Sequence, residues 1–402
     1  MRLSLITSLG IIVLFYFFNS FMLPFGLKFS IILSPFLLFY LKSNQDLKVL
    51  KYPGLFILIF SAIHLIIGVN LKSFTVSTVL MGLLVIYISA FLSFYKKSNN
   101  LEFIIEKLTQ FNFVFTLLAL LSMLTGKLIS VFWYLIPFTP GYRVIPRLKL
   151  FESEASFYSF ALLPLFFFYF WKVILVFNKK DLLLLLSILL SLILSFSLGV
   201  IAVIILAIIL VLFVHFLKFI RFKNTRQSLV FLVVSSVAIL TLVYFVFPNN
   251  PLFFRMENIL NGLDTSGRGR TYESFDIAWQ TLTQNNIFFG IGLGQFKIIG
   301  REVLIYYYKF MGIPEVARIP NAMAEILISY GVLGFSLKLI IQLVLFIKFK
   351  VYTDVFRLSL FFSLFIYQFT GSHLFNDIEF LLWVIVFLPK FDCYHQDTYF
   401  KK

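Results

Sequence analysis

Apolar residues fall along this chain in long runs, separated by short polar stretches and by one long one. The runs can be drawn at 3–23, 26–41, 54–69, 74–95, 111–137, 155–177, 182–197, 199–217, 229–247, 322–349, 355–369 and 375–388. A helix rises 1.5 Å per residue, so about 20 apolar residues cross a hydrocarbon core of about 30 Å. The pattern therefore predicts an all-α polytopic membrane protein with about 12 transmembrane helices, the short runs being full spans or half-helices. The polar break at 248–321 predicts a long extracytoplasmic loop containing short helices. Within it, 272–284 lacks Gly and Pro and predicts a helix lying on the membrane face, with Phe275, Ala278, Trp279 and Leu282 on its apolar side. The chain thus divides into spans within 1–247, the loop 248–321, and further spans with a cytoplasmic tail in 322–402.

Composition agrees with this pattern. Of 402 residues, 60% are hydrophobic, 19% aromatic and only 13% charged, outside the range of water-soluble domains. The net charge of +16 would suggest nucleic acid in a soluble chain, but here it is topological. With Arg2 inside, the cytoplasmic loops and tail collect Lys42, Lys48, Lys51, Lys96, Lys97, Lys107, Lys179, Lys180, Lys218, Arg221, Lys223, Arg226, Lys348, Lys350, Arg357, Lys390, Lys401 and Lys402. Short loops on the opposite side hold little beyond Lys28 and Lys72. Positive residues stay inside, so both termini are expected in the cytoplasm and the long break outside it. Arg2 and the following run resemble a signal sequence, yet no small-x-small site precedes Phe25, which predicts an uncleaved first span. Lys338 lies within an apolar run and is expected to snorkel to the cytoplasmic end. The one cysteine, Cys393, excludes an intramolecular disulfide.

Two polar segments then face outward, about 127–154 and 248–321. In the first, GYRVIPRLKLFESEASFY at 141–158 places Arg143, Arg147 and Lys149 ahead of Glu152 and Glu154 at the mouth of a helix. Such residues cap a helix and complement its dipole. They also suit a phosphorylated ligand held by the cations, with a carboxylate beside it to manage a proton. In the second, DTSGRGRTYE at 264–273 leaves Arg268 and Arg270 between glycines, open for bidentate contact with phosphate or with lipid headgroups. GIGLGQF at 290–296, with Gly292 and Gly294, reads as a tight turn or a weak phosphate cradle. It lacks the Lys-Ser/Thr of a P-loop and any βαβ context. PNAMAEILISYGVLG at 320–334 opens a span with Asn321 and Glu325 four apart on one face, above Tyr330, Gly331 and Gly334. Asn321 also suits a helix cap, and the glycines suit close helix packing. Arg301 and Arg318 complete the set of outward arginines. His64, His215, His373 and His395 are scattered, so no metal site is expected.

ESEASF at 152–157, SGR at 266–268 with Trp279, GIGLGQF at 290–296 and the stretch 321–334 resemble, in order and spacing, bacterial lipid-linked polysaccharide polymerases and O-antigen ligases. The resemblance covers the C-terminal two-thirds of the chain; the N-terminal spans match only in hydrophobicity. Ligases of this family place a His immediately before the Asn of the last motif, where this chain has Pro320, which favours the Wzy-like polymerase branch. Arg301 and Gly312 also reproduce an Arg-ten-residues-Gly spacing of such polymerases, a match that 19 glycines make easy by chance.

The resemblance implies a glycosyltransferase of the bacterial plasma membrane. It would join polyprenyl-diphosphate-linked oligosaccharide repeat units into O-antigen, capsular or exopolysaccharide on the extracytoplasmic face, without metal, nucleotide or other cofactor. Implied partners are the lipid-linked donor and acceptor, the bilayer, and a flippase and chain-length regulator of the same pathway; nucleic acid is not among them. Arg268 and Arg270 would stabilise the departing diphosphate, with Arg143, Arg147, Arg301 and Arg318 in support. Glu154 or Glu325 would take the proton of the attacking hydroxyl, and Gly292, Gly294, Asn321 and Trp279 would contact diphosphate or sugar. A ligase of the same family, or a transporter of the same lipid-linked sugar, is the alternative. The one-sided clustering of Arg and Glu, with no inverted repeat, argues against a transporter.

Overall fold

The protein is described by a computed structural model covering residues 2–17, 19, 28–98, 101–135, 146–214, 257–258, 261, 265–312, 317–371 and 374–388. The predicted span 229–247, Arg143 and Cys393 lie outside these residues.

The described chain is almost entirely helical. It runs α1 (Arg2–Ile12, continued as a π-turn over Val13–Phe17), α2 (Phe29–Ser43), α3 (Lys51–Ile67, entered by a 3-10 turn over Leu47–Leu50), α4 (Leu71–Lys97) and α5 (Leu101–Thr125). A short α6 (Ile129–Phe132) leads into the two-residue antiparallel pair β1 (Trp133–Tyr134) and β2 (Arg147–Leu148). Next come α7 (Ala155–Ala161), α8 (Leu163–Leu175), α9 (Lys179–Ser195) and α10 (Leu198–Val214). After the polar break begins come α11 (Thr265–Arg270), α12 (Tyr272–Thr283), α13 (Phe296–Tyr308), α14 (Ala322–Lys348), α15 (Val355–Tyr367) and α16 (Asp377–Phe387).

Among the described residues four helices are long and apolar enough to cross a membrane: Leu47–Ile67, Leu71–Lys97, Leu101–Thr125 and Ala322–Lys348. A fifth crossing arises if α7 and α8, bent by 41° where Pro164 opens the second helix, form one broken span. The other described apolar runs are helical but shorter.

Contacts group the chain into two compact units. The first comprises Met1–Ile104, Arg268–Phe349 and Phe365–Val384; the second comprises Ile105–Gly267, Lys350–Leu364 and Ile385–Lys402.

The first unit is organised around a break in α14. Gly331 has φ 65° and ψ −170°, which divides the helix after Tyr330. A break of this kind orphans carbonyls below it and amides above it, and each is costly in an apolar surround. The loop after α12 supplies the partners. Ile291 N–H donates to Ile328 O (2.9 Å) and Gly292 N–H to Ser329 O (3.0 Å), while Val332 N–H donates to Ile287 O (3.0 Å) and Leu333 N–H to Phe288 O (3.1 Å). Backbone meets backbone here without room for a side chain: a Cβ at Gly290 (φ 78°) would stand 2.6 Å from Gly331 N.

The same loop is tied on its other side to the α3–α4 turn. His64 Nε2 lies 2.8 Å from Phe289 O, Ser73 Oγ donates to Gly294 O at 2.8 Å, and Asn70 N–H donates to Gln295 Oε1 at 2.9 Å. Lys28 Nζ meets Asp377 Oδ1 at 2.9 Å, and Ala322 N–H donates to Gly371 O. Lys97 pairs with Asp46 at 2.8 Å. The Lys97 ammonium and the Ser93 hydroxyl hold the Asp46 carboxyl below the usual range.

Lys338 departs from expectation. Instead of snorkelling it faces Glu379 of α16, a buried carboxylate, at 3.4 Å. The pairing joins residues 41 apart, which a local hydropathy pattern does not register. Breaking such a pair leaves a buried charge and costs about 3 kcal/mol, whereas replacing both partners by apolar groups is nearly neutral. Lys338→Met is therefore expected to lower the thermal midpoint in detergent, and Lys338→Met with Glu379→Leu to recover most of the loss.

In the second unit, a buried network links α5, α7 and α9. The Tyr158 hydroxyl donates to Asn112 Oδ1 (2.6 Å), Asn112 Nδ2 donates to Ser191 Oγ (2.9 Å), and Thr116 Oγ1 lies 3.0 Å from the same oxygen. Trp171 Nε1 donates to Ser359 Oγ at 2.7 Å.

Candidate active site

The candidate residues divide between the two units. In the second, β2 carries Arg147, whose Nε donates to Ser195 O at 3.1 Å and whose guanidinium lies 5.9 Å from the Tyr134 ring centre. Glu154 sits at the N-cap of α7 but makes no cap bond; it accepts from Ser156 Oγ at 3.1 Å. Glu152 beside it is buried. Burial pushes the Lys149 ammonium below the ordinary lysine range.

The first unit holds Arg268, Arg270, Trp279, Gly292, Gly294, Arg301, Arg318, Asn321 and Glu325. Asn321 is its hub. Its Oδ1 accepts from Ala324 N–H at 3.0 Å, which caps α14, and its Nδ2 donates to Arg270 O (2.7 Å) and Phe369 O (2.6 Å). Three bonds occupy the side chain, so Asn321 fixes where Arg270 stands relative to the helix mouth.

One turn into α14, Glu325 is partly buried and Oε2 accepts from Leu374 N–H at 2.7 Å. Arg318 and Lys297 are the cations whose fields reach it, with Glu379 the opposing anion. Lys297 and Arg301 stand four apart on α13, hence on one face. The side chains of Arg270, Lys297, Arg301 and Arg318 have no hydrogen-bond or ion-pair partner among the described residues. Cations left unpaired around a helix N-terminus, itself partly positive, favour an incoming anion.

Arg268 is held differently. Its Nε donates to Glu273 Oε1 at 3.0 Å, and the other carboxylate oxygen accepts the Tyr308 hydroxyl at 2.9 Å. Glu273 is buried while the Arg268 side chain is 47% exposed, so the guanidinium is anchored through one nitrogen and presented outward. Glu273 belongs to the Arg-rich motif, yet nothing in its spacing marks it as the anchor; α13 brings Tyr308 to it across 35 residues.

Two predicted contacts take other forms. The amides of Gly290, Ile291 and Gly292 are engaged by Asn286, Ile328 and Ser329, and Gly294 O by Ser73. The glycine loop is thus a packing joint for the broken span rather than a cradle of free amides. On α12 the buried stripe is Ser274, Ile277, Ala278, Thr281 and Leu282 with Glu273, and Trp279 is 49% exposed. Packing against α14 selects that stripe, at the i, i+3, i+4, i+7 spacing of a helix face, and turns Trp279 out.

A helical chain with spans long and apolar enough to cross a bilayer is a membrane protein. Residues 182–339 match the family described as O-antigen ligase, which bears out over that stretch the resemblance to Wzy-like polymerases and O-antigen ligases. Members of that family are membrane enzymes acting on lipid-linked glycans. The matched stretch includes Arg268, Arg270, Arg301, Arg318, Asn321 and Glu325 and stops short of Arg147 and Glu154. No curated protein matches the chain.

Proposed function

We propose that the chain polymerises polyprenyl-diphosphate-linked oligosaccharide repeat units on the extracytoplasmic face of the bacterial plasma membrane, within a bundle of about 12 spans whose termini are cytoplasmic. The observation that carries this reading is Glu325, one turn inside a helix mouth and within the fields of Arg318 and Lys297, whose side chains have no hydrogen-bond or ion-pair partner among the described residues. The acceptor hydroxyl loses its proton to the Glu325 carboxylate as its oxygen attacks the anomeric carbon of the donor. The bond from that carbon to the diphosphate oxygen breaks, and polyprenyl diphosphate leaves with the bonding pair. Arg270 and Arg318, with Arg268 presented by Glu273, neutralise the charge that develops on it. One direct displacement inverts the anomeric centre. The Leu374 amide holds the carboxylate in place for proton transfer. Glu154, Arg143 and Arg147 are the second candidate set.

The matched family's description favours the ligase as the second reading. Pro320, in place of the histidine that ligases present before the motif Asn, favours the polymerase. The two differ in acceptor. Purified protein in detergent, given a lipid-linked repeat unit without ATP or metal, is expected to yield a ladder of longer lipid-linked products and free polyprenyl diphosphate. Product only on addition of a lipid A core acceptor would make it a ligase. Detergent abolishes compartments, so a transporter would leave the substrate covalently unchanged.

A further inference from the structure

The buried face of α12 packs within the first unit; of its opposite face only Trp279 has been given an expected contact. Tyr272, Asp276 and Trp279 fall at i, i+4 and i+7, and all three are exposed, the two rings by 59% and 49%. Asp276 between them lies close enough to Tyr307 of α13 for its carboxylate to act on that phenol. Burial first, and the neighbouring Asp276 carboxylate second, push the Tyr307 phenol up to about 12, so it stays neutral at physiological pH.

Two exposed rings flanking a carboxylate do not suit contact with acyl chains, because a carboxylate in hydrocarbon is costly. They suit a sugar, whose apolar C–H face lies on an aromatic ring while its hydroxyls bond to an adjacent carboxylate. The stripe is connected to Arg268, which the proposed reaction sets on the diphosphate. Tyr307 packs edge-on against Tyr308 (centroids 5.0 Å apart), Tyr308 bonds to Glu273, and Glu273 holds Arg268.

We infer that Tyr272, Asp276 and Trp279, backed by Tyr307, form a glycan subsite that seats the saccharide of a lipid-linked repeat unit beside the Arg268 fork. This rests on the proposed polymerase reading for the identity of the saccharide, but its test needs no turnover. The probe is the oligosaccharide released by mild acid from the source cells' own lipid-linked pool, which lacks the diphosphate. Trp279 is the reporter: the other three tryptophans, Trp133, Trp171 and Trp383, are at most 7% exposed, so acrylamide quenches Trp279 preferentially.

In phosphatidylcholine nanodiscs the probe is expected to protect Trp279 from acrylamide. Trp279→Ala and Asp276→Asn are each expected to weaken binding, read by calorimetry, roughly tenfold, the loss of one stacking or one charge-assisted contact. Both residues are exposed, so the variants should stay monodisperse. Unchanged affinity in both variants, or no binding to wild type, would overturn the subsite. So would quenching of Trp279 by dibrominated lipid that the probe does not relieve, which would make the stripe a membrane anchor. If binding is lost in the variants while no polymer ladder forms from wild type, the subsite stands and the reaction assigned to it is what fails.

Discussion

Alanine at Gly331 is expected to leave little folded protein to assay. At φ 65° and ψ −170° this residue occupies a region open essentially to glycine, where a side chain costs about 1–3 kcal/mol. The added Cβ would also collide with Phe288 O, part of the loop backbone itself. Relief requires the loop to withdraw, and with it go the four bonds joining 287–292 to 328–333, each worth about 1 kcal/mol net and more where water cannot replace it. Against a typical stability of about 5–15 kcal/mol the sum is large. Gly290→Ala should fail in the same way, because its Cβ would sit 2.6 Å from Ser329 C. Gly82→Ala, on α4 with nothing within 4 Å, serves as the control and should shift stability by no more than about 1 kcal/mol. Monodisperse yield and the thermal midpoint in detergent measure all three. Wild-type yield and midpoint for Gly331→Ala would mean that the joint is not the organiser described above.

The second large effect is catalytic. Glu325→Gln keeps the shape of the side chain and an acceptor for Leu374 N–H while deleting proton acceptance. Loss of a general base typically costs 10²–10⁴-fold in rate, so product formation should fall by about that factor with folding and KM little changed. Arg270→Ala and Arg318→Ala should each cost about tenfold or more, the loss of one charge-assisted contact of roughly 1.5–3 kcal/mol made to the departing diphosphate. Lysine should rescue them only in part, since an ammonium lacks the planar fork. Initial rates of ladder formation against donor concentration separate the two classes. A fully active Glu325→Gln protein would move the base to Glu154, and Glu154→Gln in the same assay would then lose the activity.

Much of this site was legible from local pattern. Arg268 and Arg270 stand out because glycines flank them. Asn321 and Glu325 stand out because they open an apolar run four residues apart, where a cap and a first-turn carboxylate belong. Helix α12 lies within one residue of the stretch that lacks Gly and Pro. The part played by GIGLGQF was not legible. Three glycines in alternation read as a tight turn before a weak anion cradle, and that the turn joins a broken helix depends on where the amides go, a matter of residues 37 apart in the chain such as Ile291 and Ile328. The anchoring role of Glu273 is illegible for the same reason: it exists only once α13 returns Tyr308 to it.

By itself, then, the sequence determined that this chain is helical and apolar enough to live in a bilayer, and where along it the cations and carboxylates cluster. Those properties follow from solvent preference, helical period and charge, each summed over neighbours in the chain. Only the tertiary structure decided that α14 is broken at Gly331, that Lys338 is answered by Glu379, that Trp279 faces outward and that Asn321 braces Arg270. A buried polar group must find its partner wherever the fold brings one within about 3 Å, and that partner's distance along the chain leaves no mark on the local pattern.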